Sequence, residues 1–194
     1  MNFLAHAYLS FGDADILTGN MIADMVKGKQ IEVYPETIQL GIRLHREIDS
    51  FTDRHEITQQ AMALLRPSAG KYAGAFLDVS FDHFLALDKT RNSAKEWNYF
   101  ATHCYKQIGT NSEILPNEFR TMFMYMQGEN WLYSYRYQWM IKRSFKRLQM
   151  RANYLDDNAP IFADFKQHYD EIREAYKLFF PQLVSYARDV VQKL

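Results

Sequence analysis

Three pairs of polar residues in the first half of the chain are each four positions apart: Asn20 with Asp24, His45 with Asp49, and Asp78 with Asp82. On a helix this spacing places two side chains on one face, one turn apart. Each pair lies among apolar neighbours, and carboxylates on an apolar helix are costly to bury unless they are paired or bound to a cation. The three pairs therefore indicate a shared acidic site that holds a cation.

Histidines extend this site. His83 follows Asp82 directly, and His6 lies in the apolar opening segment. Oxygen and imidazole ligands together suit manganese, iron or magnesium better than a thiophilic metal. We therefore predict a divalent-metal site whose ligands come from Asp24, His45, Asp49, Asp78 and Asp82.

The same residues also have an ordinary interpretation. A helical Asp or His at this spacing is commonly a surface residue or the partner of a nearby arginine, and Arg43, Arg46 and Arg54 are close in sequence. Three such pairs on successive helices favour a common site. Three isolated histidines and the only cysteine belong to no motif and are interpreted as structural: His55, His103, His168 and Cys104.

The positions of apolar residues predict helices throughout and no sustained strand pattern. We expect one all-α domain over residues 1–194, a bundle of about seven or eight helices. Pro181 is expected to kink or restart the last of them. The predicted helices cover roughly 16–26, 36–67 with a break near Thr52, 72–87, 94–108, 117–126, 131–150 and 162–193.

The overall composition is that of a globular protein, with 47% hydrophobic and 24% charged residues. The formal net charge is zero, so no global field favours nucleic acid or a membrane. The opening residues lack the pattern of a signal peptide, and no apolar run is long enough to span a bilayer. A single cysteine fits a reducing compartment, and we expect a cytoplasmic protein.

One stretch departs from this neutral balance. Residues 131–155 contain six basic side chains and no acidic one. With interleaved aromatic residues this pattern could bind RNA, but no RNA-binding module accompanies it, and an amphipathic helix with a solvated basic face is favoured. Its basic side chains are candidates for contact with an acidic protein partner: Arg136, Lys142, Arg143, Lys146 and Arg147.

Several motifs, taken in order, resemble one family. They are Met-Asn-Phe-Leu-Ala-His at 1–6, Gly-Asn-x-x-Ala-Asp at 19–24, Gly-Ile-x-x-His-Arg-x-Ile-Asp-x-x-Thr-Asp at 41–53, Leu-Asp-Val-x-x-Asp-His-Phe-Leu at 77–85, Asn130-Trp131-Leu132 and Phe180-Pro181. Together they resemble the bacterial acyl carrier protein phosphodiesterases over nearly the whole length. The run from Gly41 to Asp53 is the most distinctive part.

The resemblance implies a specific reaction. Members of that family remove the 4′-phosphopantetheine arm from holo acyl carrier protein. The resemblance implies a divalent metal, preferably manganese, with magnesium or iron as alternatives for this chain. They are regarded as atypical relatives of the helical HD phosphohydrolases, so an HD-like bundle is implied here. No histidine of this chain is followed by Asp, and Asp82-His83 has the reverse order. The ligand positions therefore rest on residue type and helical context.

A mechanism follows from these assignments. A metal-bound water would attack phosphorus, and His6 or His83 would protonate the departing serine oxygen of the carrier protein. Arg46 would hold a phosphate oxygen, while the basic stretch would dock the acidic carrier. Two rivals remain open: an HD-like phosphohydrolase acting on a nucleotide or other small phosphodiester, and a non-catalytic helical module that binds a carrier protein or RNA.

Overall fold

Eleven α-helices form most of the described part of the chain, residues 1–193 of a computed structural model, and no β-strand occurs among those residues. The all-α prediction is confirmed. Buried side chains from Met1 to Ala187 form one connected hydrophobic cluster. Within residues 1–193, no helix is both long and apolar enough to cross a membrane. The helices are α1 Phe3–Tyr8, α2 Ala14–Ile22, α3 Glu36–Arg54, α4 Glu56–Ala69, α5 Ala73–Leu87, α6 Ala94–Thr110, α7 Asn117–Gly128, α8 Trp131–Ser134, α9 Gln138–Arg151, α10 Ile161–Gln167 and α11 Tyr169–Lys193.

Several helices begin at signals that the sequence carries. The carboxylate of Asp13 accepts two backbone N–H groups in the first turn of α2, which removes unpaired donors at that end. Ser93 and Glu96 form a reciprocal capping box at the start of α6. Pro35 directly precedes α3, and Glu36 places a negative charge at the positive end of the helix dipole. Local chemistry therefore fixes where α2, α3 and α6 begin.

The number of helices exceeds the seven or eight predicted because predicted segments are divided. The segment 36–67 breaks at His55, whose backbone is extended, and so becomes α3 and α4. The segment 131–150 becomes α8 and α9, separated by residues 135–137, and the segment 162–193 becomes α10 and α11. Helix α1 lies outside the predicted ranges and adds one more. Two of the eleven helices are short, with six residues in α1 and four in α8.

Of the two alternatives expected at Pro181, a kink or a restart, the restart is wrong, because the last helix continues through this residue. Helix α11 continues from Tyr169 to Lys193 with Pro181 inside it. A proline removes the hydrogen bond to the carbonyl four residues earlier. Here that carbonyl belongs to Lys177, and both residues lie on the exposed side, where water can serve the carbonyl. Phe180 and Leu183 are buried on the opposite side and hold the helix against the core.

Helices α2 and α3 pack with their backbones in direct contact at two glycines. A Cβ atom on Gly19 would lie 2.0 Å from the carbonyl oxygen of Ile38, and one on Gly41 would lie 2.2 Å from that of Ile16. No larger residue fits this approach without moving a helix. The contact brings the end of α2 beside the middle of α3, where the polar residues of the predicted site are located.

Candidate metal centre

Two histidines and one aspartate converge between α1 and α3. The ligand atoms of His6, His45 and Asp49 all lie within 4.8 Å of one another. His6 Nε2 is 3.2 Å from Asp49 Oδ1, and His45 Nε2 is 3.1 Å from Asp49 Oδ2. The two imidazole rings are stacked, with centroids 3.9 Å apart. The four-residue spacing on α3 places His45 and Asp49 on one face, and α1 brings His6 against that face.

Asn20 contacts both imidazoles on the side away from Asp49; the sequence included it in one of the three pairs but assigned it no role in the site. Its side-chain oxygen lies 2.8 Å from His6 Nδ1, and its main-chain oxygen lies 2.8 Å from His45 Nδ1. Asn20 is completely buried. Both Nε2 atoms are consequently turned towards Asp49. The motif at 19–24 drew attention to Asn20, but only as a neighbour of Asp24.

The electrostatics of this cluster fit a cation. Burial opposes a charge on His45, but hydrogen bonds and negative charge from Asp24 and Asp49 outweigh it and raise the pKa of His45 to about 9. Burial and the neighbouring His45 lower the pKa of His6 to about 4. Contacts with both histidines outweigh burial and hold the pKa of Asp49 well below its usual range. Two imidazole nitrogens and a carboxylate form a donor set that manganese, iron or zinc accepts.

Two further predicted ligands lie at the edge of the cluster. Asp24 Oδ1 is 3.2 Å from His45 Nε2, and the side chain is 80% exposed, so it stands at the rim. Asp78 is joined to Asp49 through the α-amino nitrogen of Met1, which lies 3.2 Å from Asp78 Oδ1 and 3.0 Å from Asp49 Oδ1. Burial raises the pKa of Asp78. Asp24 therefore reaches the cluster from the turn that follows α2, and Asp78 reaches it from α5.

Asp82 is placed elsewhere, and its prediction as a ligand needs correction. The residue is completely buried, and its two carboxylate oxygens accept the backbone N–H groups of Leu4 at 2.7 Å and Ala5 at 3.0 Å. These are unpaired donors of the first turn of α1. Burial outweighs the two amide donors and raises the pKa of Asp82 to about 7. Asp82 thus holds α1, and with it His6, in position.

His83 also lies outside the cluster, contrary to its prediction as a proton donor. Its Nδ1 atom is 2.7 Å from the main-chain oxygen of Tyr135, and its Nε2 atom is 2.9 Å from the hydroxyl of Tyr169. It is only 1% exposed, so it cannot reach a substrate at the cluster. His6, the other predicted proton donor, has both ring nitrogens engaged within the cluster itself.

Arg46 follows His45 on α3. It is exposed, and its Nη2 atom donates to the carbonyl of Val26 at 3.0 Å. This bond ties α3 to the segment that follows Asp24. The guanidinium has further donors, so its predicted contact with a phosphate stays a prediction.

A cavity of about 640 Å³ is lined by sequence neighbours of the residues at the cluster, but not by His6, His45 or Asp49 themselves. Its lining includes Asn2, Met25 and Val79, which directly follow Met1, Asp24 and Asp78 in the chain. Another part of the wall comes from α7 and α9 and mixes apolar side chains with polar and charged ones, including Glu118 and two arginines. Residues of this wall include Met122, Tyr125, Met140, Arg147, Leu148 and Arg151.

The basic side chains of the predicted stretch fall into two groups, those that contact other side chains and those that face solvent. Arg143 pairs with Glu129, and the guanidinium of Arg147 lies 4.9 Å from the centre of the Trp131 ring. Arg136 similarly covers the ring of Tyr133. Lys142 and Lys146 are exposed on α9, with Lys146 also donating to a main-chain carbonyl. Helix α9 therefore presents a positive outer face beside the cavity.

Comparison with known proteins identifies the family. A family model described as acyl carrier protein phosphodiesterase matches residues 1–183. A protein of Enterobacter sp. (strain 638) with that name is 30% identical over 190 residues, covering 97% of this chain and 98% of that protein. Proteins of the same name from Salmonella paratyphi A and Salmonella agona are each 31% identical over 188 residues, covering 96% of this chain and 97% of theirs.

No solved structure matches the chain, so the kinship with HD phosphohydrolases stays a prediction. The family match, in contrast, spans the α1, α3 and α5 helices that build the cluster. The chain belongs to the acyl carrier protein phosphodiesterase family.

Proposed function

We propose that this chain hydrolyses the phosphodiester that joins 4′-phosphopantetheine to acyl carrier protein, using a divalent metal ion, preferably manganese, at the cluster. The convergence of His6, His45 and Asp49 within 4.8 Å carries the proposal, because the family match supplies a phosphodiester substrate and the cluster supplies donors for a cation. We also propose a cytoplasmic location, where a lone buried thiol such as Cys104 stays reduced.

The residues of the centre have distinct roles in this proposal. His6, His45 and Asp49 hold the metal, and Asp24 at the rim completes the set. The bound metal lowers the pKa of a water molecule and neutralises phosphate charge. Asp78 lies beside this set and balances the positive amino group. We exclude Asp82 and His83 from the metal and proton-transfer roles because their polar atoms are bonded elsewhere.

The cavity beside the cluster is the proposed site for the pantetheine arm. Its volume of about 640 Å³ lies within the usual range for small-molecule sites. Its lining combines apolar and aromatic side chains with Asn2 and with three charged residues, Glu118, Arg147 and Arg151, which can serve the polar groups along the arm. An uncharged chain with amide groups suits such a lining. With the arm in this cavity, its phosphate would lie at the end nearest Asp24 and Asp78.

The direct test is incubation of the full-length protein with holo acyl carrier protein and Mn²⁺, followed by mass spectrometry of carrier and small products. We expect apo carrier protein and free 4′-phosphopantetheine, with no release when a chelator removes the metal. Intact holo carrier after long incubation would contradict the proposal. Turnover of a nucleotide or small phosphodiester panel instead would favour the small-molecule rival, and no metal uptake would favour a non-catalytic module.

Metal affinity is expected to rise with pH. Below its pKa of about 9, His45 carries a proton that a metal must displace, whereas His6 is neutral above about pH 4. Displacing one proton makes affinity increase about tenfold per pH unit between pH 6 and 8. This slope is measured by titration with Mn²⁺, in which the free ion is monitored by its electron paramagnetic resonance signal. An affinity that does not change over this range would contradict binding through His45.

Charge reversal on α9 is expected to weaken recognition of the carrier protein. The double variant Lys142→Glu/Lys146→Glu should raise KM for holo carrier about tenfold with little change in kcat, because charges at an interface rim act mainly on association. The matched control is Lys95→Glu/Lys106→Glu, which reverses two exposed lysines on α6. Steady-state kinetics at low and high salt would distinguish the two double variants. Equal KM values for both variants would remove α9 from the docking surface.

A further inference from the structure

We propose that Asn20 is a positioning residue that fixes the ring proton of His6 on Nδ1 and so presents His6 Nε2 to the metal. This inference rests on the metal centre of the proposed function. Asn20 contacts His6 and His45 on the side away from Asp49. It is therefore an orienting residue rather than a ligand, of the kind that usually accompanies histidine ligands.

The hydrogen bonds of the Asn20 amide determine its orientation. One terminal atom lies 2.9 Å from the main-chain carbonyl oxygen of His6 and 3.2 Å from Ser10 Oγ. A carbonyl oxygen can only accept, so the atom facing it must be the NH₂ group. The amide oxygen is then the atom that lies 2.8 Å from His6 Nδ1. Rotating the amide by half a turn would place oxygen against oxygen.

The position of the proton on His6 follows from this orientation. The Asn20 amide oxygen has no hydrogen to donate, so His6 Nδ1 must carry the proton between them. In the neutral ring, Nε2 then holds a lone pair. That atom lies 3.2 Å from Asp49 Oδ1 and 3.2 Å from the Met1 carbonyl oxygen. Asp49 Oδ1 is already served by the Met1 amino group at 3.0 Å, so a cation here would satisfy the lone pairs of His6 Nε2 and of the Met1 carbonyl oxygen, which face each other.

His45 is held by the same residue through a different atom. Its Nδ1 donates to the main-chain oxygen of Asn20 at 2.8 Å, a contact that any residue at this position retains. A substitution at position 20 therefore removes the restraint on one imidazole and leaves the restraint on the other. This difference provides an internal control within the cluster.

The test is ¹⁵N NMR of the histidine rings in the metal-free, full-length protein, combined with Mn²⁺ titration by electron paramagnetic resonance. In the wild type we expect His6 with its proton on Nδ1. In Asn20→Ala we expect His6 to shift towards the Nε2–H form, an unchanged Nδ1 signal for His45, and Mn²⁺ affinity about 10- to 100-fold lower. Ser10→Ala is the matched control, because it removes another partner of the amide but keeps the bond to His6.

A wild-type His6 protonated on Nε2 would overturn the proposal, as would an Asn20→Ala variant with unchanged His6 signals and Mn²⁺ affinity. The wild-type spectrum requires no substitution, so it decides the question even if circular dichroism shows that Asn20→Ala does not fold. Neither measurement uses carrier protein. Failure of phosphopantetheine release by the wild type is therefore a separate result that bears on the proposed function alone.

Discussion

Replacing Asp49 with alanine is expected to abolish metal binding and lower kcat/KM for holo carrier protein by roughly a thousandfold or more. Asp49 is the carboxylate that faces both imidazoles, with Oδ1 at 3.2 Å from His6 and Oδ2 at 3.1 Å from His45. Its loss removes the carboxylate that contacts both rings. Mn²⁺ titration and release of 4′-phosphopantetheine, measured on the same preparation, check the two effects together.

The control for this variant is Asp189→Ala, which removes an exposed carboxylate on α11 and should retain full metal binding and activity. Asp49→Asn should fall between the two, because it keeps an oxygen at the site but lacks the charge that balances His45. Circular dichroism establishes that each variant is folded. Substantial Mn²⁺-dependent release by a folded Asp49→Ala variant would exclude the cluster as the metal centre.

Helical spacing predicted part of this centre well. The four-residue spacing of His45 and Asp49 placed both on one face of a helix, and they are in contact across one turn of α3. The apolar residues around them correctly indicated a partly buried location. Such an inference succeeds because it depends only on the geometry of a single helix.

The same spacing misled for Asp78 and Asp82. Both lie on α5, yet only Asp78 approaches the cluster, while Asp82 is occupied by the first turn of α1. The spacing shows that two residues share one face of a helix. It does not show which neighbouring helix packs against each turn of that face. The packing of α1 on α5 joins residues almost eighty positions apart, and no local pattern in the chain records that contact.

The role of Asn20 was missed for a related reason. Helix α2 ends at Ile22, and Asp24 lies in the following 3-10 turn, Ala23–Met25. The pair Asn20 and Asp24 therefore does not continue along one α-helix, and the two residues act on opposite sides of His45. The role of Asn20 depends on the close approach of α2 to α3, which requires glycines on both helices. A single sequence shows the glycines but not their pairing.

Because α2 and α3 approach so closely, the substitution Gly41→Ala is expected to destabilise the protein strongly. The added Cβ would lie 2.2 Å from the carbonyl oxygen of Ile16 and 2.9 Å from the amide nitrogen of Asn20. These are backbone atoms, which cannot rotate away, so α2 must move as a unit or separate from α3. We expect a loss of about 3 kcal/mol or more in the free energy of unfolding, measured by urea denaturation.

The matched control is Gly109→Ala on α6, where an added Cβ meets no atom within 4 Å. There alanine should stabilise the protein by about 0.5–1 kcal/mol, because glycine costs conformational entropy inside a helix. Wild-type stability in Gly41→Ala would refute the close contact. A folded but weakened Gly41→Ala variant should also bind Mn²⁺ less tightly, because displacement of α2 carries both oxygens of Asn20 away from His6 and His45. Stability and metal affinity would then fall together, although residue 41 contacts no ligand.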